Sequence, residues 1–465
     1  MNPLVSRKII YPLLFGLRGE SVIKNLAVLQ DAQWHSLATV TNRQVERFKT
    51  VAEAGIAHYA FYRTKAAEAG VAVSDIQSLD DLIRWPMTTK MDLNLAVQDL
   101  RSSGIKLPLH TVRMTAGSTG DPCVVLADRT ASSCSLAVRA LFQEWHGIHI
   151  GDRQIRLWGH PLHSGYYREQ LKGFILNRIR LDSLALGNDR FADTFNRIID
   201  FGAEYLYGYA SLIALFIDSL RDEDLARIQV GLKAAISTSE TMSDEQRIKL
   251  SKRLGRPIVD EYGCSELDII SFTCPEGGRH TAAENVLVEV VRSGDEPEGF
   301  GRVVVTDLNN TLMPVIRYCV GDLVPLERPV CTCGRGWPCL GPVLGRIQNQ
   351  FIELDGGSRR VHSQFVVYML EKLFDEGWGI GRFQIVQEES DLLVLRIVAL
   401  QSKPFNKDHL KKLLQEQGRR VLGVNMRWAV VQVDVSEIES SSNHKYQHFV
   451  SKLKEKDNNG KGHIL

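Results

Sequence analysis

Between residues 109 and 260 the chain alternates short extended apolar runs with amphipathic stretches. This alternation confines it to a layered α/β sheet. An extended segment over 109–114 leads to the buried-strand pattern Cys123-Val124-Val125-Leu126, and 131–145 follows with helical spacing. The clearest helix start is Ser243-Asp244-Glu245-Gln246, a capping box in which Ser243 caps and Gln246 reaches back. That helix runs to Leu254, and Gly255 can end it in a left-handed turn. Arg256-Pro257-Ile258-Val259 then reads as a strand that delivers Asp260-Glu261-Tyr262-Gly263-Cys264-Ser265-Glu266 at its C-terminal end. Open α/β sheets place ligands at such ends.

Upstream, 41–70 reads as one long amphipathic helix, with Val45, Phe48, Ala52, Tyr59 and Tyr62 at helical spacing. Residues 75–91 form a connector with short helical turns, broken at Trp85-Pro86. Downstream, 286–291, 302–307 and 322–326 are strand-like and suggest a β-subdomain. Past Gly345-Arg346 the pattern becomes helix 363–374, strands 383–387 and 392–399, helix 406–417 and strand 426–435, a compact α+β unit. The expectation is an α/β protein with a large N-terminal domain, 1–346, of layered sheets plus the β-subdomain, and a small C-terminal α+β domain, 347–465. A length of 465 residues agrees with about two or three domains.

The composition, 44% hydrophobic and 24% charged, is that of a soluble globular protein. A net charge of +1 argues against nucleic acid as a partner, because such binding is driven by phosphate contacts. No apolar stretch is long enough to span a bilayer. The apolar start Ile9-Ile10-Tyr11-Pro12-Leu13-Leu14-Phe15 is interrupted by proline and lacks a small-residue cleavage site, so it does not read as a signal peptide. Eight unevenly clustered cysteines do not form a secreted disulfide framework, and a cytoplasmic setting fits them better.

The run Thr115-Ala116-Gly117-Ser118-Thr119-Gly120-Asp121-Pro122 packs two glycines and three hydroxyls into eight residues. Backbone N–H groups in such a loop can converge on an anion, with hydroxyls as extra donors, although the same composition makes ordinary turns. Four more segments follow in order: Ser237-Thr238-Ser239-Glu240-Thr241, Tyr262-Gly263-Cys264-Ser265-Glu266, Pro314-Val315-Ile316-Arg317-Tyr318-Cys319-Val320-Gly321-Asp322, and Gly345-Arg346. Lys445, in His444-Lys445-Tyr446, is a sixth element near the C-terminus. Singly, each has a structural reading: Asp322 as a turn cap, Glu266 as a helix-start carboxylate, Lys445 as one tail lysine among many, Tyr262 as core.

Taken in sequence, the six resemble the adenylate-forming (ANL) superfamily over nearly the whole chain. Ala60-Phe61-Tyr62-Arg63 and Trp85-Pro86-Met87-Thr88-Thr89-Lys90 resemble its phenylacetate–CoA ligase/CapK branch, which also contains coenzyme F390 synthetases. The resemblance implies ATP-dependent activation of a carboxylic acid to an acyl-adenylate, then transfer to CoA. It also leaves open transfer to a carrier protein, amine or sugar, F390-synthetase-like adenylyl transfer, and a non-catalytic nucleotide-binding homologue. By resemblance the N-terminal domain binds the nucleotide and the C-terminal domain is mobile. Thr115, Ser118, Thr119 and Gly120 would hold the β- and γ-phosphates. Glu266 would bind Mg²⁺, for which a carboxylate is the right donor. Tyr262 would stack on adenine beside Gly263, Ser265 would approach the α-phosphate, and Ser239 and Glu240 would line the adenine pocket. Asp322 would accept from both ribose hydroxyls. Arg346 would bridge nucleotide and hinge, and Lys445 would neutralise charge between carboxylate and α-phosphate.

Some positions depart from the family pattern. Asp121 stands where the loop usually has a lysine, Gln348 and Asn349 where the hinge is usually acidic, and His444 where a glycine precedes the lysine. Trp158, His160, Tyr207 and Tyr209 fall where related enzymes build the acyl pocket, which would suit an aryl or medium-sized acid; packed turns are the alternative. Two Cys/His pairs, Cys274 with His280 and Cys331 with Cys333, offer three thiolates and an imidazole. That set can close a structural zinc site, with Cys339 able to replace one ligand, or can be reduced thiols near strand ends. A homodimer is left open.

Overall fold

The computed structural model describes residues 1–102, 107–114, 123–158, 166–181, 191–294, 296–346, 351–354, 359–363, 366, 369–370, 373, 380–399, 406–422, 424–434, 437–438 and 448–453. The chain divides into two compact units, Met1–Gly345 and Arg346–Leu465.

In the larger unit, strands β1 (His110–Met114) and β2 (Val124–Asp128) form an antiparallel pair. The main sheet holds β3 (Gln154–Leu157), β4 (Arg178–Leu181), β5 (Tyr205–Tyr209), β6 (Ala234–Thr238), β7 (Ile258–Cys264), β8 (Asp268–Thr273) and β9 (Arg279–Thr281), in the order β4-β3-β5-β6-β7-β8-β9. The first five are parallel, and β8 and β9 extend the sheet antiparallel. Side chains alternate between its faces, as the pleat requires. Tyr205 and Tyr207 of β5 and Ala234 and Ile236 of β6 join one apolar core with the helix Arg129–Glu144. Leu206 and Ala235 face the other core, with the helices Ala210–Ser219 and Asp244–Leu254. The sheet is thus covered on both faces, which parallel strands need. Ser243 caps the helix Asp244–Leu254 by accepting from the Gln246 N–H, and Gly255 closes it at φ 66°.

A second sheet pairs β10 (Val286–Val291), β11 (Phe300–Asp307) and β12 (Tyr318–Pro325) antiparallel; this is the expected β-rich region. The boundary between the units falls in the two-residue strand β13 (Gly345–Arg346). The smaller unit has the hairpin β14 (Phe351–Leu354) and β15 (Arg359–His362). Its sheet contains β16 (Ile380–Glu389), β17 (Leu392–Ala399), β18 (Arg427–Gln432) and β19 (Phe449–Ser451), in the order β18-β17-β16-β19. The helix Lys407–Leu422 packs on it through Leu410 and Leu414, with Ile385, Leu395 and Trp428 in the shared core.

One expectation changes. The helix read over 41–70 is two, Leu37–His58 and Ala60–Glu68, broken at an extended Tyr59 (φ −124°, ψ 119°). The break turns both tyrosines onto the segment before β12: Tyr59 donates to the Leu312 carbonyl, and Tyr62 donates to the Pro314 carbonyl at 2.9 Å and accepts from the Ile316 N–H. Thr88 continues this clamp by donating to the Arg317 and Ile316 carbonyls and accepting from the Cys319 N–H. At the N-terminus Pro12 does not stop the helix. A proline cannot donate to the carbonyl four residues back and crowds it. The preceding Ser6–Ile10 turn widens to a π-helix, and Tyr11–Arg18 continues as α-helix.

Candidate nucleotide and metal sites

The candidate residues of the main sheet emerge from one end of it. Trp158 follows β3, Tyr209 ends β5, Ser239 and Glu240 follow β6, and 262–266 lie at the end of β7. These are the carboxyl ends of parallel strands, where such sheets bind ligands. Gly263 is required there by packing, because a Cβ would collide with the Asp268 carbonyl oxygen across the β7–β8 bulge. Ser239, Asp268 and Arg317 all hold left-handed backbone, at φ 69°, 66° and 44°. Non-glycine residues held this way collect at functional sites.

Two carboxylates from different sheets meet here. Tyr262 donates to Asp322 Oδ2 at 2.7 Å. Tyr318 donates to Glu266 Oε1 at 2.8 Å, while Glu266 Oε2 is buried and has no hydrogen-bond partner among the described residues. Glu266 is only 3% exposed, so its free oxygen carries a desolvation cost that a cation would relieve. An oxygen donor of this kind fits Mg²⁺. Arg113, one residue before the end of β1, donates to the Glu266 carbonyl and to Ser135 Oγ and pairs with Asp307 at 3.6 Å. Burial, reinforced by Glu266, pushes the Tyr318 phenol far up, so it stays a neutral donor. Burial with Glu266 and Asp322 nearby also raises the Cys264 thiol.

Thr115, Ser118, Thr119, Gly120, His160 and Lys445 lie outside the described residues, as does the Arg346 side chain. Ser265 and Ser239 are exposed. Glu240 Oε2 accepts from the Ser211 N–H at 2.9 Å, at the start of the helix Ala210–Ser219. Trp158 stacks on Tyr207 at 6.2 Å and 5° and meets Tyr209 at 4.5 Å, with the Arg156 guanidinium 4.5 Å above the indole. The Tyr207 hydroxyl is turned to the buried Glu261, to which it donates at 2.7 Å. Glu261 and Asp268 both pair with Arg139.

The sulfur and imidazole groups also converge. Ligand atoms of Cys274, His280, Cys331 and Cys333 all lie within 4.8 Å of one another. Cys274 Sγ is 3.6 Å from Cys331 Sγ, and Cys333 Sγ is 3.2 Å from His280 Nε2. Ligand edges in a tetrahedral zinc–thiolate site are about 3.7 Å, from bonds of about 2.3 Å. The Trp337 carbonyl lies 2.7 Å from His280 Nδ1, so a proton on Nδ1 leaves Nε2 as the ligand atom. Gly278 lets the Cys274–His280 loop close on Cys331. Cys339 Sγ lies 3.6 Å from His280 Nδ1, beside the ring.

No family model matches the chain. Over 342 residues it is 27% identical to a phenylacetate-coenzyme A ligase of Thermus thermophilus, covering 66% of this chain and 71% of that protein. It is 24% identical to a phenylacetate-coenzyme A ligase of Pseudomonas putida, covering 66% and 72%, and 23% identical to Protein CapK of Staphylococcus aureus, covering 46% and 47%. Over these spans the chain is similar to phenylacetate–CoA ligases and to CapK. Its fold is also that of a solved 2-hydroxyisobutyryl-CoA ligase in the postadenylation state (TM-score 0.69, 20% identity, 88% of this chain and 89% of that one). At this site the sequence did not disclose Tyr318 and Arg113 as partners of Glu266. Tyr318 lies inside a quoted motif but 52 residues from its partner, and Arg113 lies 153 residues away.

Proposed function

We propose that this protein activates a carboxylic acid with ATP and passes the acyl group to CoA. The observation that carries the reading is the buried Glu266, with one oxygen held and the other unpartnered among the described residues, beside the Tyr262–Asp322 pair at the carboxyl end of the sheet. A carboxylate oxygen of the acid attacks the α-phosphorus, the bond to the α,β-bridging oxygen breaks, and pyrophosphate leaves with that electron pair. The CoA thiol then loses its proton, its sulfur attacks the acyl carbon, and AMP departs with the carboxylate oxygen. Magnesium held by Glu266 would offset the phosphate charge.

In this reading Thr115, Ser118, Thr119 and Gly120 grip the outer phosphates. Asp322 takes the ribose hydroxyls, Tyr262 carries the adenine, and Ser239, Glu240, Gly263 and Ser265 complete the nucleotide wall. Lys445 stabilises charge during adenylation, and Arg346 serves the hinge between domains 1–346 and 347–465. Trp158, Tyr209 and His160 flank the acid, with Tyr207 as the buried backing of Trp158. Cys274, His280, Cys331 and Cys333 hold a structural zinc, closed by protein ligands. We take the protein to be cytoplasmic and, like many enzymes, open to homodimer formation.

The test incubates purified protein with ATP, Mg²⁺ and a panel of aryl and short aliphatic acids. Acid-dependent pyrophosphate exchange, then CoA consumption with AMP release, is expected. Absence of exchange with every acid refutes the reading, and exchange without CoA consumption refutes its second half. Glu266→Gln should abolish exchange. Metal analysis of protein purified without affinity metal should find about one zinc per chain; a content well below that discards the zinc site.

A further inference from the structure

We propose that Tyr318 is the positioning residue of the metal-binding carboxylate: its phenol holds Glu266 Oε1 and thereby presents Oε2 to the cation. The proposal rests on the reading of Glu266 as the magnesium ligand.

The hydrogen bond is 2.8 Å long, and both side chains are buried, Tyr318 at 5% and Glu266 at 3% exposure. Among the described residues Glu266 Oε2 is left without a partner. A phenol supplies one donor, so it can fix one carboxylate oxygen without filling the other. Tyr318 is itself held from several sides. Its backbone pairs with Val305 of β11 and bridges Thr88. Its neighbour Arg317, at φ 44°, forms a two-pronged pair with Glu289 at 2.9 Å on both prongs. Tyr318 and Asp322 are four residues apart on β12, with a shift of the β11–β12 register and the left-handed Gly321 between them. The two phenol–carboxylate bonds then run in opposite senses: β7 donates through Tyr262 to Asp322, and β12 donates through Tyr318 to Glu266. This reciprocal clasp ties the expected ribose and metal ligands into one preorganised unit, and a group hydrogen-bonded to a metal ligand sets that ligand's orientation.

The experiment measures, by calorimetry, how much Mg²⁺ strengthens binding of the unreactive analogue α,β-methylene-ATP to the full chain. Tyr318→Phe should lose about tenfold of that gain, ~1.4 kcal/mol, while affinity without metal stays near wild type and the thermal midpoint falls, because the metal-free Glu266 loses a buried donor. Tyr318→His, which keeps a ring donor, should recover part of the gain, and it carries the comparison if the phenylalanine variant does not fold. Glu266→Gln is the reference. If it abolishes the gain and Tyr318→Phe keeps it in full, the positioning role is overturned and the magnesium reading stands. If Glu266→Gln keeps the gain, the magnesium reading itself fails. Equal loss of metal-free and metal-dependent affinity in Tyr318→Phe marks a merely structural residue and also overturns the proposal.

Discussion

Gly278→Ala tests the zinc site through geometry alone. A Cβ built on Gly278 would stand 2.5 Å from Cys331 Sγ, 2.7 Å from Cys331 Cβ and 3.2 Å from His280 Nε2. Ordinary non-bonded contacts of this kind are about 3.5 Å or longer, so the methyl comes about 1 Å too close to a ligand sulfur. Zinc ligands tolerate displacements of only about 0.2 Å. The substitution should therefore weaken metal retention about 10- to 100-fold, the scale on which residues supporting metal ligands act. Overpacking should cost a further ~1–3 kcal/mol of stability. Zinc per chain by mass spectrometry, release under chelator challenge and thermal unfolding read these effects. Gly277→Ala is the matched control. Gly277 sits at φ 84° with nothing within 4 Å of its built Cβ, so that variant should lose ~1–2 kcal/mol to backbone strain and keep its zinc. A Gly278→Ala protein that holds a full equivalent, releases it at the wild-type rate and melts with wild type would refute the reasoning.

Asp92→Asn probes a buried cap. Asp92 Oδ2 accepts from the Thr89 N–H, the Thr89 hydroxyl and Lys65 Nζ at 2.7–2.9 Å. Burial raises the Asp92 carboxyl, but Lys65 and Thr89 outweigh it and hold the acid below its ordinary range. A depressed folded value gives stability that is present above the unfolded pKa of about 3.9 and lost as pH falls through the folded one. The variant should be ~1–2 kcal/mol less stable at pH 7, with the gap closing below about pH 4 in denaturant titrations; a gap constant with pH would refute the assignment. Tyr207→Phe should cost ~1–3 kcal/mol by leaving the buried Glu261 short of a donor, with acid preference unchanged. Altered acid preference at unchanged stability would instead put the Tyr207 hydroxyl against the substrate.

What could be read from the chain was whatever local chemistry dictates. The Ser243 N-cap, the left-handed Gly255 and the strand that follows needed no tertiary information, and they alone aim 262–266 out of the sheet. The Cys/His pairs were legible as residue types and spacing, and the structure brings their ligand atoms together. The break at Tyr59 was not legible, because helical spacing runs on through it. What wins there is tertiary: two buried phenols satisfy carbonyls at 312 and 314, some 250 residues away. Tyr318 shows the same limit at the candidate site. Its apolar neighbours announce a buried strand, but the choice of tyrosine over phenylalanine carries information only once the Glu266 carboxylate is seen opposite it. A buried hydroxyl without a partner costs about as much as the hydrogen bond it would otherwise make. A buried tyrosine in such a chain therefore implies an acceptor that the sequence does not name, and here the buried Tyr318 and the half-buried Tyr262 point to the two carboxylates on which the proposed chemistry depends.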